Sequence, residues 1–153
     1  MRNAIFTLVC LLSVAFASAQ KIDFDKKTAT VSIDGVACMK YESNANNVTY
    51  MTLEGTDIII LKYMEQNGVR YCKVIFVESN QQLTSESYSF TKKLLVEKLL
   101  KSNTLVDCAL NEEKVRTFCM KYDEKVEDRF NGNNTVIIKE ESRPSGVNIK
   151  IGR

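Results

Sequence analysis

Between residue 21 and about residue 80, apolar and polar positions alternate in short runs separated by turn-forming dipeptides, as in strands that bury one face. Ile22 and Phe24 open the pattern, residues 25–28 turn the chain, and Ala29, Val31 and Ile33 resume it. Asp34-Gly35 then predicts a tight hairpin, because both residue types tolerate the positive φ angles of a two-residue turn. Further strands are predicted over 36–42, 48–53, 57–65 and 69–78, with turns at Glu54-Gly55 and Gln66-Asn67-Gly68. Ile58, Ile59, Ile60 and Leu61 form a β-branched run too short for most helices, hence a buried strand. In the last strand Cys72, Val74 and Phe76 share one face, and Tyr71, Lys73, Ile75 and Val77 the other.

After Tyr88 the period lengthens. Thr91 caps a helix whose stripe is Leu95, Val96, Leu99 and Leu100, with Phe90 and Leu95 placed as a hydrophobic staple, and Ser102-Asn103 ends it. A second helix starts at the cap Asn111, carries Glu112 and Glu113 against its dipole, and staples Leu110 onto Val115. Val115, Phe118, Cys119, Tyr122 and Val126 make its apolar face. Residues 131–134 break the chain, 135–139 read as a further strand, 140–146 as a loop around Pro144, and Val147, Ile149 and Ile151 alternate again. The fold class is therefore α+β: an antiparallel meander of about six strands, two helices packed on one face, and an added C-terminal strand or tail over 131–153. Residues 20–130 suit a single domain.

Residues 1–19 have another grammar. Arg2 is followed by an apolar run over 4–16 and by Ala17-Ser18-Ala19, which predicts a secretory signal peptide cleaved between Ala19 and Gln20. The run falls short of the roughly 20 apolar residues of a spanning helix, so no membrane span is expected after cleavage. Cys10 lies inside the run and is lost with it. Loss of Arg2 lowers the formal net charge of +2 by one, and the remaining charges are intermixed, so no nucleic-acid partner is expected. Four cysteines remain, Cys38, Cys72, Cys108 and Cys119. In an exported chain they are compatible with two disulfides in any of three pairings, or with small apolar core positions.

The chain has no histidine. Ser-His-Asp and Cys-His machinery therefore cannot be assembled from it alone, and no catalytic, cofactor-binding or metal-ligating set stands out. Paired carboxylates need no histidine, and Glu112-Glu113 and Glu140-Glu141 are the visible pairs. Adjacent residues diverge on a helix, however, and first-turn charge explains the first pair. Residues 128–134 have a calcium-loop flavour, but Phe130 stands where a ligand belongs. Glycines are isolated in turns, which leaves no phosphate cradle and no cofactor to expect. Tyr41, Tyr50, Tyr63 and Tyr71 recur along the strands, where packing accounts for them as well as a ligand surface does. Asn47-Val48-Thr49 and Asn133-Asn134-Thr135 match the glycosylation pattern, which matters only in a eukaryotic host.

Asp34-Gly35, Leu53-Glu54-Gly55, the 94–100 helix, Leu110-Asn111-Glu112-Glu113-Lys114-Val115 and Phe118-x-x-Lys121-Tyr122, with the ending Val147-Asn148-Ile149-Lys150-Ile151-Gly152, resemble a group of small exported Gram-negative proteins of uncharacterised function. The resemblance spans most of residues 20–153 and implies export but no activity. Asp123 replaces the glycine that usually follows Lys-Tyr in that group, which predicts that the second helix runs on towards Phe130. The combined expectation is a periplasmic or secreted non-catalytic module that binds an envelope or extracellular protein or glycan through its sheet. The alternatives are a carboxylate-based enzyme acting on envelope glycan and a thiol redox or stress protein.

Overall fold

The computed structural model describes residues 20–131. The signal peptide with its cleavage at Ala19, the pair Glu140-Glu141, the Asn133 glycosylation pattern and the C-terminal strands over 135–139 and 147–151 lie outside the described residues.

Seven strands form one antiparallel sheet in chain order: β1 Ile22–Asp25, β2 Thr30–Ile33, β3 Val36–Ser43, β4 Asn47–Met51, β5 Asp57–Gln66, β6 Val69–Phe76 and β7 Gln81–Ser85. The two tightest hairpins are set by local chemistry. Asp34 and Gly35 have φ of 51° and 83°, and Asn67 and Gly68 have φ of 52° and 78°, the left-handed pair that a two-residue turn needs to match strand twist. After β7 come α1 Lys92–Lys101, a small hairpin of β8 Leu105–Val106 and β9 Ala109–Leu110, α2 Glu112–Tyr122 and α3 Val126–Asn131.

One face of the sheet presents Val31, Met39, Tyr50, Ile59, Leu61, Val74 and Leu83, all essentially inaccessible. Leu95, Val96 and Leu99 of α1 and Val115, Phe118 and Cys119 of α2 close onto the same core. Both helices begin as their sequences dictate: Thr91 Oγ1 accepts from Leu94 N–H at 3.2 Å, and Asn111 Oδ1 from Lys114 N–H at 3.1 Å. Phe90 and Leu95 are fully buried as the staple of the first helix requires.

The α+β class, the antiparallel meander and the helices that follow it are as expected, and the count of about six strands and two helices departs from the structure at three places. β7, with the sequence Gln-Gln-Leu-Thr-Ser, carries a single large apolar residue and so lacks an alternating signature. The β8–β9 hairpin is too short to show a period. The second helix does not run on towards Phe130 but stops at Tyr122, where Asp123 has ψ 114° and Lys125 has φ 50°. The chain turns there past the edge of β7 and starts α3 over the other face of the sheet, where Tyr71 meets Phe130 at 6.0 Å between ring centroids and Lys73 pairs with Glu127 at 2.8 Å.

Candidate functional site

The four cysteines take different fates. Cys38 and Cys108 are joined in a disulfide, with Cα atoms 5.0 Å apart. A β-bulge makes this possible: Val31 pairs with Met39 and Ser32 with Ala37, so Cys38 is the extra residue on β3 and is turned inward beside Met39. Cys108 sits at φ 64° in the two-residue turn between β8 and β9. The small hairpin thus holds the cysteine that reaches the sheet. Cys72 and Cys119 are free and buried. Burial pushes both thiols up, that of Cys119 to about 11, with Asp123 adding to the rise there. The Cys72 thiol donates to the Tyr88 carbonyl at 2.9 Å. Neither is placed to act as a thiolate.

The tyrosine series divides between the faces. Tyr41 packs edge-on to Phe24 beneath the Lys92 ammonium, which lies 4.8 Å from its ring centre. Tyr50 is wholly buried and donates to the Lys92 carbonyl at 2.7 Å, while Tyr63 donates to the Phe90 carbonyl at 2.9 Å. These two hydroxyls fasten the start of α1 to the sheet, and burial pushes both up in pKa, Tyr50 the further. Tyr71 faces the other way and donates to Glu127 Oε1 at 3.3 Å.

Tyr63 and Tyr71, from opposite faces, both border a cleft at the free end of the longest hairpin. β5 and β6 extend as a hairpin beyond the segment between β7 and α1, leaving an open cleft of about 420 Å³ lined by Tyr63, Tyr71, Glu65, Arg70, Ser85 and Glu86. Asn46 stands on its rim. Arg70 Nε donates to Glu65 Oε2 at 2.9 Å, and Arg129 of α3 holds Glu86 at 3.0 Å. One wall is fixed from outside. Glu124 Oε1 accepts from Ser85 Oγ at 3.0 Å, and its Oε2 accepts from the Glu86 and Ser87 N–H groups at 3.0 and 3.2 Å. Burial alone would raise the Glu124 pKa, but these hydrogen bonds outweigh it and hold the carboxyl below its usual range. Beside it Asp123 Oδ1 accepts from Thr84 N–H at 2.9 Å and Thr84 Oγ1 at 3.1 Å. Behind it, stacked and edge-on contacts of Tyr88 and Phe90 with each other and with Tyr122 pack the segment between β7 and α1 against α2.

Sequence reading missed this cleft. It joins charged residues from a hairpin tip with a polar segment twenty residues downstream, and no spacing along the chain announces that meeting. The carboxylate pair it did single out, Glu112-Glu113, lies exposed in the first turn of α2, away from the cleft. Asp128 and Phe130 belong to α3, so the front of the calcium-like stretch is helical rather than a ligand loop. Among the described residues no three His, Cys, Asp or Glu side chains gather as a metal set, and no helix is long and apolar enough to cross a membrane.

Fold and cleft define an α+β domain in which a seven-stranded meander is covered by α1 and α2 on one face, met by α3 on the other, and gripped along its last edge. Comparison with protein families, with characterised proteins and with solved structures finds no match.

Proposed function

We propose that the protein is an exported module, periplasmic or extracellular, that binds an envelope or extracellular protein or glycan without transforming it. In this reading it is one of the small exported Gram-negative proteins that its motifs resemble, and the ligand enters the cleft at the free end of β5 and β6. The observation that carries the reading is the composition of that cleft. Its side chains offer hydrogen-bond donors, acceptors and tyrosine rings on a rigid strand pair, while its carboxylates Glu65 and Glu86 are each engaged by an arginine. Such a surface recognises polar groups and has no group poised as a general acid. The disulfide and the signal-like N-terminus support export.

The test is site-specific photo-crosslinking in the producing cell. A crosslinker at Asn46, on the cleft rim, should capture a reproducible partner that a crosslinker at Met120, exposed on α2, does not, and Arg70→Glu should abolish the capture. Equal capture from both positions, or none from Asn46, would remove the cleft from the proposal. The carboxylate-enzyme reading retains one favourable observation, that two glutamates line a single cleft. It predicts glycan turnover that Glu65→Gln and Glu86→Gln each abolish; turnover surviving both would dispose of it. Thiol chemistry gains nothing from buried Cys72 and Cys119.

A further inference from the structure

We propose that Gln20, once cleavage after Ala19 makes it the first residue, closes on itself to pyroglutamate. The proposal rests on the export reading and adds a modification site to it. Lys21 is the first residue that the fold holds: its N–H donates to Asp34 Oδ1 at 2.7 Å, and its carbonyl accepts from Asp34 N–H at 2.8 Å. Gln20 lies one residue outside that bracket, exposed, and among the described residues no hydrogen bond restrains its amide. Its backbone nitrogen and its own Cδ are therefore free to meet, whereas a glutamine inside β1 would be held extended by the ladder.

The chemistry needs nothing beyond residue 20. An α-amine has a pKa of about 7.7–8.0, so a substantial fraction is neutral and nucleophilic near neutral pH. Its nitrogen attacks Cδ, the new C–N bond closes a five-membered lactam, and the Cδ–Nε2 bond breaks. The departing nitrogen takes the proton shed by the amine and leaves as ammonia. Nothing is oxidised or reduced.

The surroundings leave room for the product. Gln20 stands on the rim of a hollow of about 490 Å³ lined by Ile33, Val36, Leu105 and Val106 and by the carboxylates of Asp34 and Asp107, and Val36 and Val106 are exposed. The aspartates can face the starting ammonium, and the uncharged ring can lie against the exposed valines. The lactam also removes one positive charge and leaves no free α-amine for aminopeptidases, a benefit to a protein working outside the cell.

The test labels primary amines on intact producing cells before extraction, so that cyclisation during later handling cannot mimic the result. Tandem mass spectrometry then reads the N-terminal peptide of the natively exported protein. The expected result is a peptide beginning at residue 20, unlabelled at its terminus, lighter than the glutamine form by one ammonia, and shortened by pyroglutamyl aminopeptidase after denaturation. Gln20→Ala should instead carry a labelled α-amine on an otherwise unchanged protein. A labelled Gln20 in the native protein would overturn this proposal and leave export standing. A chain cleaved at another position would likewise overturn this proposal alone, and a chain that keeps residues 1–19 and is found only inside the cell would overturn both.

Discussion

The disulfide separates Cys38 and Cys108 from Cys72 and Cys119, and burial decides what the two free thiols can do. A thiol reacts as its thiolate, and both side chains are enclosed and pushed up in pKa by that enclosure. Iodoacetamide added to the native protein at pH 8 should therefore modify neither. Added after denaturation without reduction, it should modify Cys72 and Cys119 alone, and after reduction Cys38 and Cys108 as well; peptide mapping reads each case. Labelling of Cys38 before reduction would mean that the bridge is absent. Thr84 provides a second test at this scale. It is buried on an edge strand, and both its N–H and its hydroxyl donate to one Asp123 oxygen while the hydroxyl accepts from Val126 N–H. Asp123→Ala strands the Thr84 N–H, and a buried donor left unpaired costs roughly 1–3 kcal/mol. Urea unfolding should show a loss of that size, with Asp123→Asn recovering part of it through the remaining amide oxygen.

At the scale of elements, the same two acidic residues explain why one half of the chain was legible in the sequence and the other was not. β1 to β6 and the starts of α1 and α2 follow from alternation, turn dipeptides and caps, because in each case the signal and the structure lie within about ten residues. β7 and α3 depend on partners some forty residues apart. Glu124 N–H donates to the Thr84 carbonyl at 2.8 Å, so the elbow between α2 and α3 takes the place of a neighbouring strand along part of β7 and covers an edge that would otherwise be exposed. Asp123 reads locally as permission for the helix to continue; only the presence of Thr84 makes it a stop. The cleft is invisible for the same reason, since Glu124 builds its wall from a different element. This arrangement has a pH dependence of definite sign. Glu124 is held below its usual pKa in the folded protein, so its contribution is present above the unfolded-state value of about 4.3 and is lost as pH falls through the folded value. Exchange of the Glu86 and Ser87 amides, corrected for intrinsic rate, should accelerate on acidification below pH 4.5. Glu124→Gln should show that faster exchange already at pH 7 and respond less to acid.

Across the whole molecule, the two halves are joined at opposite edges by unlike fastenings. The elbow grips β7 through carboxylate hydrogen bonds, and the disulfide ties β3, near the β1 edge, to the hairpin that follows α1. The bridge spans 70 residues and so encloses β4 to β8 and the first helix in one covalent loop. In the chain-entropy treatment a loop of that length is worth roughly 4 kcal/mol, because it removes open conformations from the unfolded chain. The core is larger than the bridge: Tyr50, Leu61, Val74, Leu95 and Phe118 belong to one buried cluster of strand and helix side chains, in which Cys38 is a single member and against which the half-buried Cys108 packs. Reduction should therefore lower stability without dissolving the fold. Cys38→Ser/Cys108→Ser should unfold in a single cooperative urea transition with the slope of the parent and a lower midpoint, the product of slope and shift amounting to about 4 kcal/mol, and native exchange should rise first in β8 and β9, where Cys108 sits at a positive φ that only the hairpin turn and the bridge hold. A broad transition with a reduced slope would show instead that the bridge is what makes sheet and helices one cooperative unit. Uniform acceleration of exchange across β1 to β7 at an unchanged slope would place the lost stability in the unfolded chain alone, and the β8–β9 hairpin would then be held by Leu105 in the core rather than by its cysteine.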